Sequence, residues 1–348
     1  MRWIVPLLAL IPLAIALEFL HASPLLILIV SAVALIPLAA LLGRATEALA
    51  SHAGAWVGAL LNSTLGNAAE LIIAFAGIRA GLPELVKASV SGSILGNLLL
   101  ILGASLLVGG LRHGRQRFNP HIAGVSATMM TLAVIVLVVP GLFILGPQPI
   151  QGASVEFLSL TVSAVLIVIY GLYLLYSIRH QQEVPHAAPA EEAGVHWRPR
   201  TALAVLIGAT IGVVIMSELL VAAVEPVIAA TAVSEFFLGV ILIPLVGNVA
   251  EHIVAVQVAA DNKMDLSLGI AYGSSLQIAL LVAPLLVFGG LALGQPMTLV
   301  FNMYELIALV GAAIISSLIA VDGESNWLEG AQLLVVYTAL GLGFFFLP

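Results

Sequence analysis

The sequence predicts an all-α integral membrane protein with about eleven transmembrane helices. Hydrophobic residues make up 61% of the 348-residue chain and charged residues only 8%, which lies outside the range of soluble domains. Apolar runs of roughly 18 to 25 residues recur along the chain, and a helix of that length crosses the hydrocarbon core of a bilayer. The alternating pattern of membrane strands is absent, which excludes a β-barrel. Because the chain has no cysteine, disulfides and thiolate metal sites are also excluded.

The predicted spans are delimited by prolines, glycines and charged clusters. They cover about 3–20, 24–43, 56–80, 83–110, 119–145, 156–179, 201–222, 234–260, 264–290, 297–320 and 326–347. The first span could instead be a cleaved signal peptide, because Arg2 precedes it and a short polar segment follows it.

One long polar segment, residues 180–200, has the Pro, Ala and Glu content of a solvated linker. It separates residues 24–179 from residues 201–348, with five predicted spans in each, and residues 1–23 form an additional N-terminal helix. Because five is an odd number, two homologous five-span units in tandem must cross the membrane in opposite directions. The sequence therefore predicts an inverted five-plus-five repeat.

Basic residues are distributed unevenly between the predicted loops. If the N-terminus is cytoplasmic, only Arg79 and Lys87 of the 11 Lys and Arg residues fall on the outer side. This bias predicts a multi-pass protein with a cytoplasmic N-terminus, and the compact chain indicates a prokaryotic-type cell membrane. Glu84 and Lys87, three residues apart at the start of a span, predict a surface ion pair.

A five-residue motif marks the duplication. The sequence GNAAE at residues 66–70 recurs 181 positions later as GNVAE at residues 247–251. With the same offset, Gly92, Ser93 and Leu95 recur as Gly273, Ser274 and Leu276. Polar, glycine-containing interruptions at matching positions of an inverted repeat are typical of the binding site of a secondary transporter.

The two glutamates of this motif are the candidate functional groups. Glu70 and Glu251 lie about 15 and about 18 residues into their spans, which places them near the middle of the bilayer at ~1.5 Å rise per residue. An isolated charge at that depth costs at least about 2.5 kcal/mol. No Lys or Arg lies in the same half of either span, so a proton or a bound cation has to neutralise each carboxylate.

Residues that carry oxygen surround both glutamates in the helical pattern. Asn67 lies on the same face as Glu70, and Asn248 on the same face as Glu251. The adjoining spans supply further amides and hydroxyls, and the motif glycines supply main-chain carbonyls. Besides the two glutamates, the predicted cation ligands are Asn67, Asn248, Gly66, Gly247, Ser93, Asn97, Ser274 and Gln277. Carboxylate, amide and hydroxyl oxygens without thiolates favour a hard cation such as Ca²⁺.

Simpler interpretations remain open from the sequence alone. The glycines can serve close helix packing, and an asparagine in a membrane can bond a neighbouring helix. His252 adjoins Glu251, and it either takes part in proton coupling or packs as a neutral side chain. Glu218 and Glu305 are predicted to be buried, and each is either a proton-handling group or a structural acid with a partner.

An enzymatic function is not predicted. The residues from Asn248 to His252 differ by one from the H-x-x-E-H pattern of zinc peptidases, but asparagine at the first position removes a zinc ligand. The other repeat has Leu71 in place of the histidine. We therefore expect no catalytic residues, no cofactor and no nucleic-acid partner.

Seven segments of the chain occur in the order of a known family. They are LLNSTLGNAAELIIA, GSILGNLLLILG, YGLYLLYS, SELLVAAVEP, GNVAEHIVAV, GSSLQIALLVAP and DGESNWLEGAQLL. Together they resemble the calcium/proton exchangers (CAX) of the calcium/cation antiporter superfamily. The resemblance implies an inverted repeat with an extra first helix, and exchange of Ca²⁺ for H⁺ at Glu70 and Glu251. Sodium/calcium relatives tend to carry a proline before this glutamate, whereas Ala69 and Ala250 favour the proton-coupled branch.

Two carboxylates account for exchange by their charge. The pair is neutral with one Ca²⁺ or with two protons bound, and it is doubly negative when empty. The carrier therefore exposes the site to the other side of the membrane only when Ca²⁺ or protons are bound. We expect export of cytosolic Ca²⁺ by alternating access, with Ca²⁺, H⁺ and the lipid bilayer as partners and the oligomeric state left open. A third proton could reside on His252 or Glu218. The alternatives are a sodium-coupled or broader divalent cation exchanger and a cation channel.

Overall fold

The computed structural model describes residues 4–146, 149–179 and 197–347. Most of the predicted linker, residues 180–196, therefore lies outside the described residues. The helices are α1 (Val5–Phe19), α2 (Pro24–His52), α3 (Gly54–Leu65), α4 (Ala68–Arg79), α5 (Pro83–His113), α6 (Pro120–Leu145), α7 (Ala153–Arg179), α8 (Pro199–Ala230), α9 (Glu235–Gly247), α10 (Val249–Ala260), α11 (Met264–Ala292), α12 (Met303–Val321) and α13 (Trp327–Phe345). Two short strands, β1 (Gln116–Arg117) and β2 (Glu324–Ser325), pair antiparallel.

The long apolar helices make this chain an all-α, multi-pass membrane protein, as predicted. Eight helices in the described part of the chain are long and apolar enough to cross a membrane, and there are nine spans if α9 and α10 count as one bent span. The other two predicted spans coincide with α1, which is shorter, and with α3 followed by α4.

Proline sets the start of several long helices. Pro24, Pro120 and Pro199 occupy the first turn of α2, α6 and α8. At that position the missing N–H of proline costs no intrahelical hydrogen bond, and its fixed φ already suits the helix. Prolines that delimit the predicted spans are therefore points at which helices begin.

The tenth predicted span begins later than expected. Residues 295–302 are not helical, although Leu299 is fully buried. Helix α12 starts only after them because Asn302 and Glu305 form a capping box, in which each side chain accepts the backbone N–H of the other residue. Non-helical backbone inside a membrane protein needs hydrogen-bond partners, and Ser159 Oγ accepts the N–H of Leu299.

Two π-helical segments occupy equivalent positions in the two sequence repeats. They are Gly96–Ile101 within α5 and Ile278–Val282 within α11, and their last residues are separated by the repeat offset of 181. A third π-helix, Leu238–Leu242, lies within α9. Such segments are rare and often occur at functional sites. Asn97 lies inside the first segment and Gln277 directly precedes the second, so two predicted ligands adjoin π-helices.

Contacts divide the described chain into two compact units. The first unit contains the described residues through Ser89, those from Trp197 to Ala250, and Leu347. In this unit α2 and α4 both pack against α8, around a core made mainly of Ala, Leu and Val. Gly212 of α8 permits the close approach of α2, because a Cβ at this position would lie 2.6 Å from Cδ2 of Leu38.

The second unit contains the described residues from Val90 to Arg179 and from Glu251 to Phe346. Here α6 packs on α12, α7 on the second half of α11, and α13 on the second half of α5. The hydroxyls of Thr131 and Ser317 lie 2.9 Å apart between α6 and α12. Each compact unit thus combines parts of both predicted repeats, and the division into residues 24–179 and 201–348 stays a prediction about the sequence.

Three loops of the second unit meet at one end. Strand β1 belongs to the loop between α5 and α6, and its partner β2 to the loop between α12 and α13. Gln116 Nε2 also donates to Oδ1 of Asn262, in the loop between α10 and α11, at 2.9 Å. Alternating spans require these three loops to lie on the same side of the membrane, and their contacts agree with that requirement.

We expect the contact between α5 and α13 to be sensitive to a single methyl group. A Cβ at Gly330 would collide with the backbone nitrogen of Leu107, whereas a Cβ at Gly343, on the same helix, would meet nothing within 4 Å. Gly330→Ala should lower the free energy of unfolding by about 1–3 kcal/mol, and the matched control Gly343→Ala should leave it unchanged or raise it slightly. Thermal unfolding in detergent, followed by tryptophan fluorescence, measures both; equal Tm values would contradict the expectation.

Candidate cation-binding site

Two asparagines interrupt helices at equivalent positions of the repeats. Asn67 separates α3 from α4 with φ and ψ of −99° and 23°, and Asn248 separates α9 from α10 with −100° and 2°. Both conformations lie in the bridge region, which is sparsely populated and common at active sites. The sequence predicted a continuous span through each position, so the two breaks correct that expectation.

The breaks place both glutamates in the first turn of a new helix. Glu70 is the third residue of α4, and Glu251 is the third residue of α10. The first backbone N–H groups of a helix lack intrahelical partners, and the helix dipole is positive there, so this position stabilises an ionised carboxylate. The start of the helix thus replaces part of the stabilisation by water that a carboxylate loses in hydrocarbon.

In the first compact unit, Glu70 lies against the backbone of Gly247. A Cβ added at Gly247 would lie 3.4 Å from Oε1 of Glu70. Asn67 and Asn248 are both buried, and Nδ2 of Asn248 donates to the carbonyl oxygen of Pro244 at 3.2 Å. Glu70 and Gly247 belong to different sequence repeats, so predicted ligands from both repeats meet in this unit.

In the second compact unit, Glu251 accepts a hydrogen bond from the hydroxyl of Ser274. The neighbouring residue His252 also contacts a predicted ligand, because its Nε2 lies 3.3 Å from Oδ1 of Asn97. Asn97 belongs to the first sequence repeat, and the other three residues belong to the second. The second unit therefore also joins predicted site residues from both repeats.

The contact with Asn97 favours one tautomer of His252. Because Oδ1 of Asn97 accepts, Nε2 of the histidine donates, and Nδ1 of the neutral ring is then an acceptor. Nδ1 is buried and has no hydrogen-bond partner among the described residues. His252 thus has a buried ring nitrogen without a hydrogen-bond partner among the described residues, on the residue next to Glu251.

Three further predicted ligands lie close to these contacts along the chain. Ser93 is buried in α5, one turn before Asn97. Gln277 is half-buried in α11, three residues after Ser274. Gly66 precedes Asn67, and glycine is required there because a Cβ would collide with the carbonyl oxygen of Asn62.

The predicted ligands around Glu70 and around Glu251 carry oxygen atoms of the kind that a hard cation prefers. Carboxylate, amide and hydroxyl oxygens are the ligands that Ca²⁺ prefers, in sets of 6–8. Within the part of the chain that the structure describes, no group of three or more His, Asp or Glu side chains is placed to hold a metal ion.

Glu218 does not have the buried environment that the sequence predicted. Its side chain is 58% exposed and forms an ion pair with Arg79 at 3.4 Å. The prediction of burial is wrong because α8 turns another face toward its neighbours, on which Ser217, Leu220 and Val221 are buried. Glu305, in contrast, is only 3% exposed, as predicted.

The predicted pair of Glu84 and Lys87 is present, but only Glu84 lies at the surface. Its two charged groups are 2.6 Å apart, and the Lys87 side chain is only 10% exposed, against 71% for Glu84. The amine is covered because α5 is packed on most sides in this region, where Leu85, Val86 and Ala88 are all buried.

Ser91 is a polar contact residue that no sequence pattern indicated. Its Oγ donates to Oε1 of Glu305 at 2.5 Å, and both residues are buried. Ser91 lies two residues from both Ser89 and Ser93, which places it on a different face of α5 from the predicted ligands. A buried acid such as Glu305 needs a partner, but spacing within one helix cannot say which other helix supplies it.

Comparisons with known proteins agree with these features. The family described as "Sodium/calcium exchanger protein" matches residues 23–179 and 201–346. The chain is 43% identical to a Ca(2+)/H(+) antiporter of Aphanothece halophytica, over 98% of this chain and 96% of the relative. It is 42% identical to the Ca(2+)/H(+) antiporter ChaA of Bacillus subtilis, over 97% of each chain. The solved structure of native YfkE superposes with a TM-score of 0.86 at 39% identity, covering 99% of this chain and 100% of that chain.

We expect a larger side chain at Gly247 to displace the Glu70 carboxylate. Alanine would place its Cβ in ordinary contact with Oε1, but valine adds two methyl groups in the same direction. Gly247→Val should weaken Ca²⁺ binding about tenfold or more, because displaced supporting groups typically cost that much in metal affinity. Calorimetry on the detergent-solubilised protein measures the Kd.

The matched control for this variant is Gly208→Val. Gly208 also lies in a helix of the first unit, and a Cβ there would meet nothing within 4 Å. We expect Gly208→Val to bind Ca²⁺ with the affinity of the wild type. If Gly247→Val also keeps the wild-type affinity for Ca²⁺, the contact with Glu70 does not matter.

Proposed function

Since this chain belongs to the sodium/calcium exchanger protein family, we propose that it is a secondary antiporter that exchanges cytosolic Ca²⁺ for H⁺. One observation carries the proposal: two equivalent carboxylates each begin a helix at a break and contact other predicted ligands, Glu70 with Gly247 and Glu251 with Ser274. The resemblance to calcium/proton exchangers is confirmed by relatives of that name at full length. Those relatives are transporters, which agrees with a chain that catalyses no covalent reaction.

Coupling follows from the charge of the two carboxylates. One Ca²⁺ neutralises both, two protons also neutralise both, and the empty pair carries two negative charges. Moving uncompensated charges through hydrocarbon is expensive. The carrier therefore changes its exposed side readily only when loaded, and each Ca²⁺ that leaves is replaced by protons that enter.

The predicted ligands take distinct parts in this proposal. Glu70 and Glu251 bind the cation and accept the protons that replace it. Amide and hydroxyl groups complete the oxygen shell, and main-chain carbonyls contribute beside the two motif glycines. These additional ligands are Asn67, Asn248, Ser93, Asn97, Ser274, Gln277, Gly66 and Gly247.

His252 is a better candidate than Glu218 for a third proton. Nδ1 of His252 is buried and has no hydrogen-bond partner among the described residues. Because burial disfavours a charged imidazolium, a proton there requires a compensating negative charge such as that of the adjacent Glu251. Glu218 is exposed and paired with Arg79, so its charge is already compensated.

We further propose that the protein resides in a prokaryotic-type cell membrane with its N-terminus in the cytoplasm. Nearly all of its 11 Lys and Arg residues then lie on the cytoplasmic side. In this orientation the three joined loops of the second unit are also cytoplasmic.

Neutralising either carboxylate should abolish exchange. Glu70→Gln and Glu251→Gln each remove one negative charge and one proton-binding group, so the site can neither balance Ca²⁺ nor exchange it for two protons. Uptake of radiolabelled calcium into inverted membrane vesicles under a proton gradient should fall to background in both variants. Glu225→Gln, which changes an exposed carboxylate on α8, is the matched control and should transport normally. Wild-type rates in both site variants would reject the mechanism.

The driving ion distinguishes the proposal from its alternatives. In liposomes that contain a pH dye and a calcium dye, calcium entry should accompany proton exit, and a sodium gradient should not replace the proton gradient. Names of the relatives favour protons over sodium. Calcium movement driven by sodium would establish the sodium-coupled alternative, and calcium flux without any counterflow would establish a channel.

A further inference from the structure

Glu305 is a buried carboxylate that the proposed exchange mechanism does not use. It is 3% exposed and lies in the first turn of α12. Its Oε2 accepts the N–H of Asn302 at 2.9 Å, and its Oε1 accepts the hydroxyl of Ser91 at 2.5 Å. These donors and the positive end of the helix dipole all stabilise the ionised carboxylate.

The bond to Asn302 and the bond to Ser91 serve different purposes. The first completes the capping box of α12 and would be present in many helices. The bond to Ser91 joins α12 to α5, and this bond has no part in capping α12. Glu305 therefore ties two membrane helices together at a defined point.

This point lies close to the predicted ligands of α5. Ser91 precedes Ser93 by two residues and Asn97 by six, which is ~3 Å and ~9 Å along a helix at ~1.5 Å per residue. The helix is α-helical through Leu95, so a fixed Ser91 also fixes the direction of Ser93.

Beyond Leu95 the helix changes its winding. The π-helical segment Gly96–Ile101 begins there, and Asn97 within it contacts His252 at 3.3 Å. The junction between α-helix and π-helix is thus held on both sides, by Glu305 through Ser91 and by His252 through Asn97. Without the contact between Glu305 and Ser91, the predicted ligands of α5 lose a polar support.

We propose that Glu305 is a positioning residue for the transported cation, acting through Ser91 to hold the Ser93 hydroxyl and the Asn97 amide in place. The inference rests on the proposed calcium/proton exchange. Glu305 accordingly sets the affinity for Ca²⁺, and it leaves the maximal rate of exchange nearly unchanged.

Ser91→Ala is the sharpest test because it leaves the capping box of α12 intact. In proteoliposomes with a proton gradient, initial rates of calcium uptake at increasing Ca²⁺ concentration give KM and the maximal rate. We expect the KM for Ca²⁺ to rise roughly tenfold, since loss of a supporting partner typically costs 10–100-fold in metal affinity. The maximal rate per folded protein should stay within about twofold, because Glu70 and Glu251 are untouched.

Two Glu305 variants separate positioning from proton handling. Glu305→Ala removes both bonds and should raise KM at least as much as Ser91→Ala. Glu305→Gln keeps one oxygen for the N–H of Asn302 and one amide hydrogen for Ser91 Oγ, so it should restore most of the wild-type KM. If Glu305→Gln instead matches Glu305→Ala, the charge matters rather than the contact, and the proposal is wrong.

Ser105→Ala is the matched control on the same helix. Ser105 is fully buried, and its hydroxyl has no hydrogen-bond partner in the described part of the chain. An equal rise in KM for Ser105→Ala, or an unchanged KM for Ser91→Ala, would overturn the proposal.

Equilibrium binding of Ca²⁺ to the purified proteins separates this inference from the proposed function. Absence of proton-driven calcium uptake in the wild type would refute the exchange itself. A wild type that exchanges but binds Ca²⁺ as tightly as Ser91→Ala would refute only the role of Glu305.

Discussion

An ionised carboxylate is stable in the hydrocarbon core only if other groups replace its water, and this constraint accounts for the arrangement around both motif glutamates. Glu70 and Glu251 each lie in the first turn of a helix, where the helix dipole favours the anion. Gly247 leaves room for the first carboxylate, and Ser274 donates to the second. In the proposed function these contacts stabilise the empty site without neutralising it, so that a cation gains free energy by binding. A lysine in the same place would neutralise the carboxylate permanently and would compete with the transported cation.

The same constraint separates the two motif glutamates from two other acids of the chain. Glu218 is exposed and meets Arg79, and Glu305 is buried but receives an N–H and a hydroxyl at a helix start. Each of these two carboxylates has a fixed set of protein partners that suffices for its environment. The motif glutamates instead lie near Gly247 and Ser274, and in the proposed function Ca²⁺ or protons balance their charge.

Sequence reasoning identified the membrane class, the duplicated motif and several residues that meet in space. Glu70 with Gly247, Glu251 with Ser274, and Asn97 beside His252 were all named from charge, spacing and repetition. The helix breaks at the two asparagines and the π-helices were not predicted, because hydrophobic runs do not distinguish continuous from interrupted helices. The exposure of Glu218, the burial of Lys87 and the partner of Glu305 also escaped prediction. Each of these depends on which face of a helix meets another helix, and that is decided by tertiary packing.

The interruption at each asparagine affects the strength of the scaffold itself. Helices α4 and α10 have 12 residues each, so neither is much longer than ~18 Å, well short of a ~30 Å hydrocarbon core. Helices this short are marginal by themselves and depend on their surroundings to remain ordered. Under the proposed function, Ca²⁺ bound at their first turns would add to that order, since any ligand specific for the folded state stabilises it. In the proposed function the transported ion is therefore also a temporary structural component, and the protein is least rigid while the site is empty.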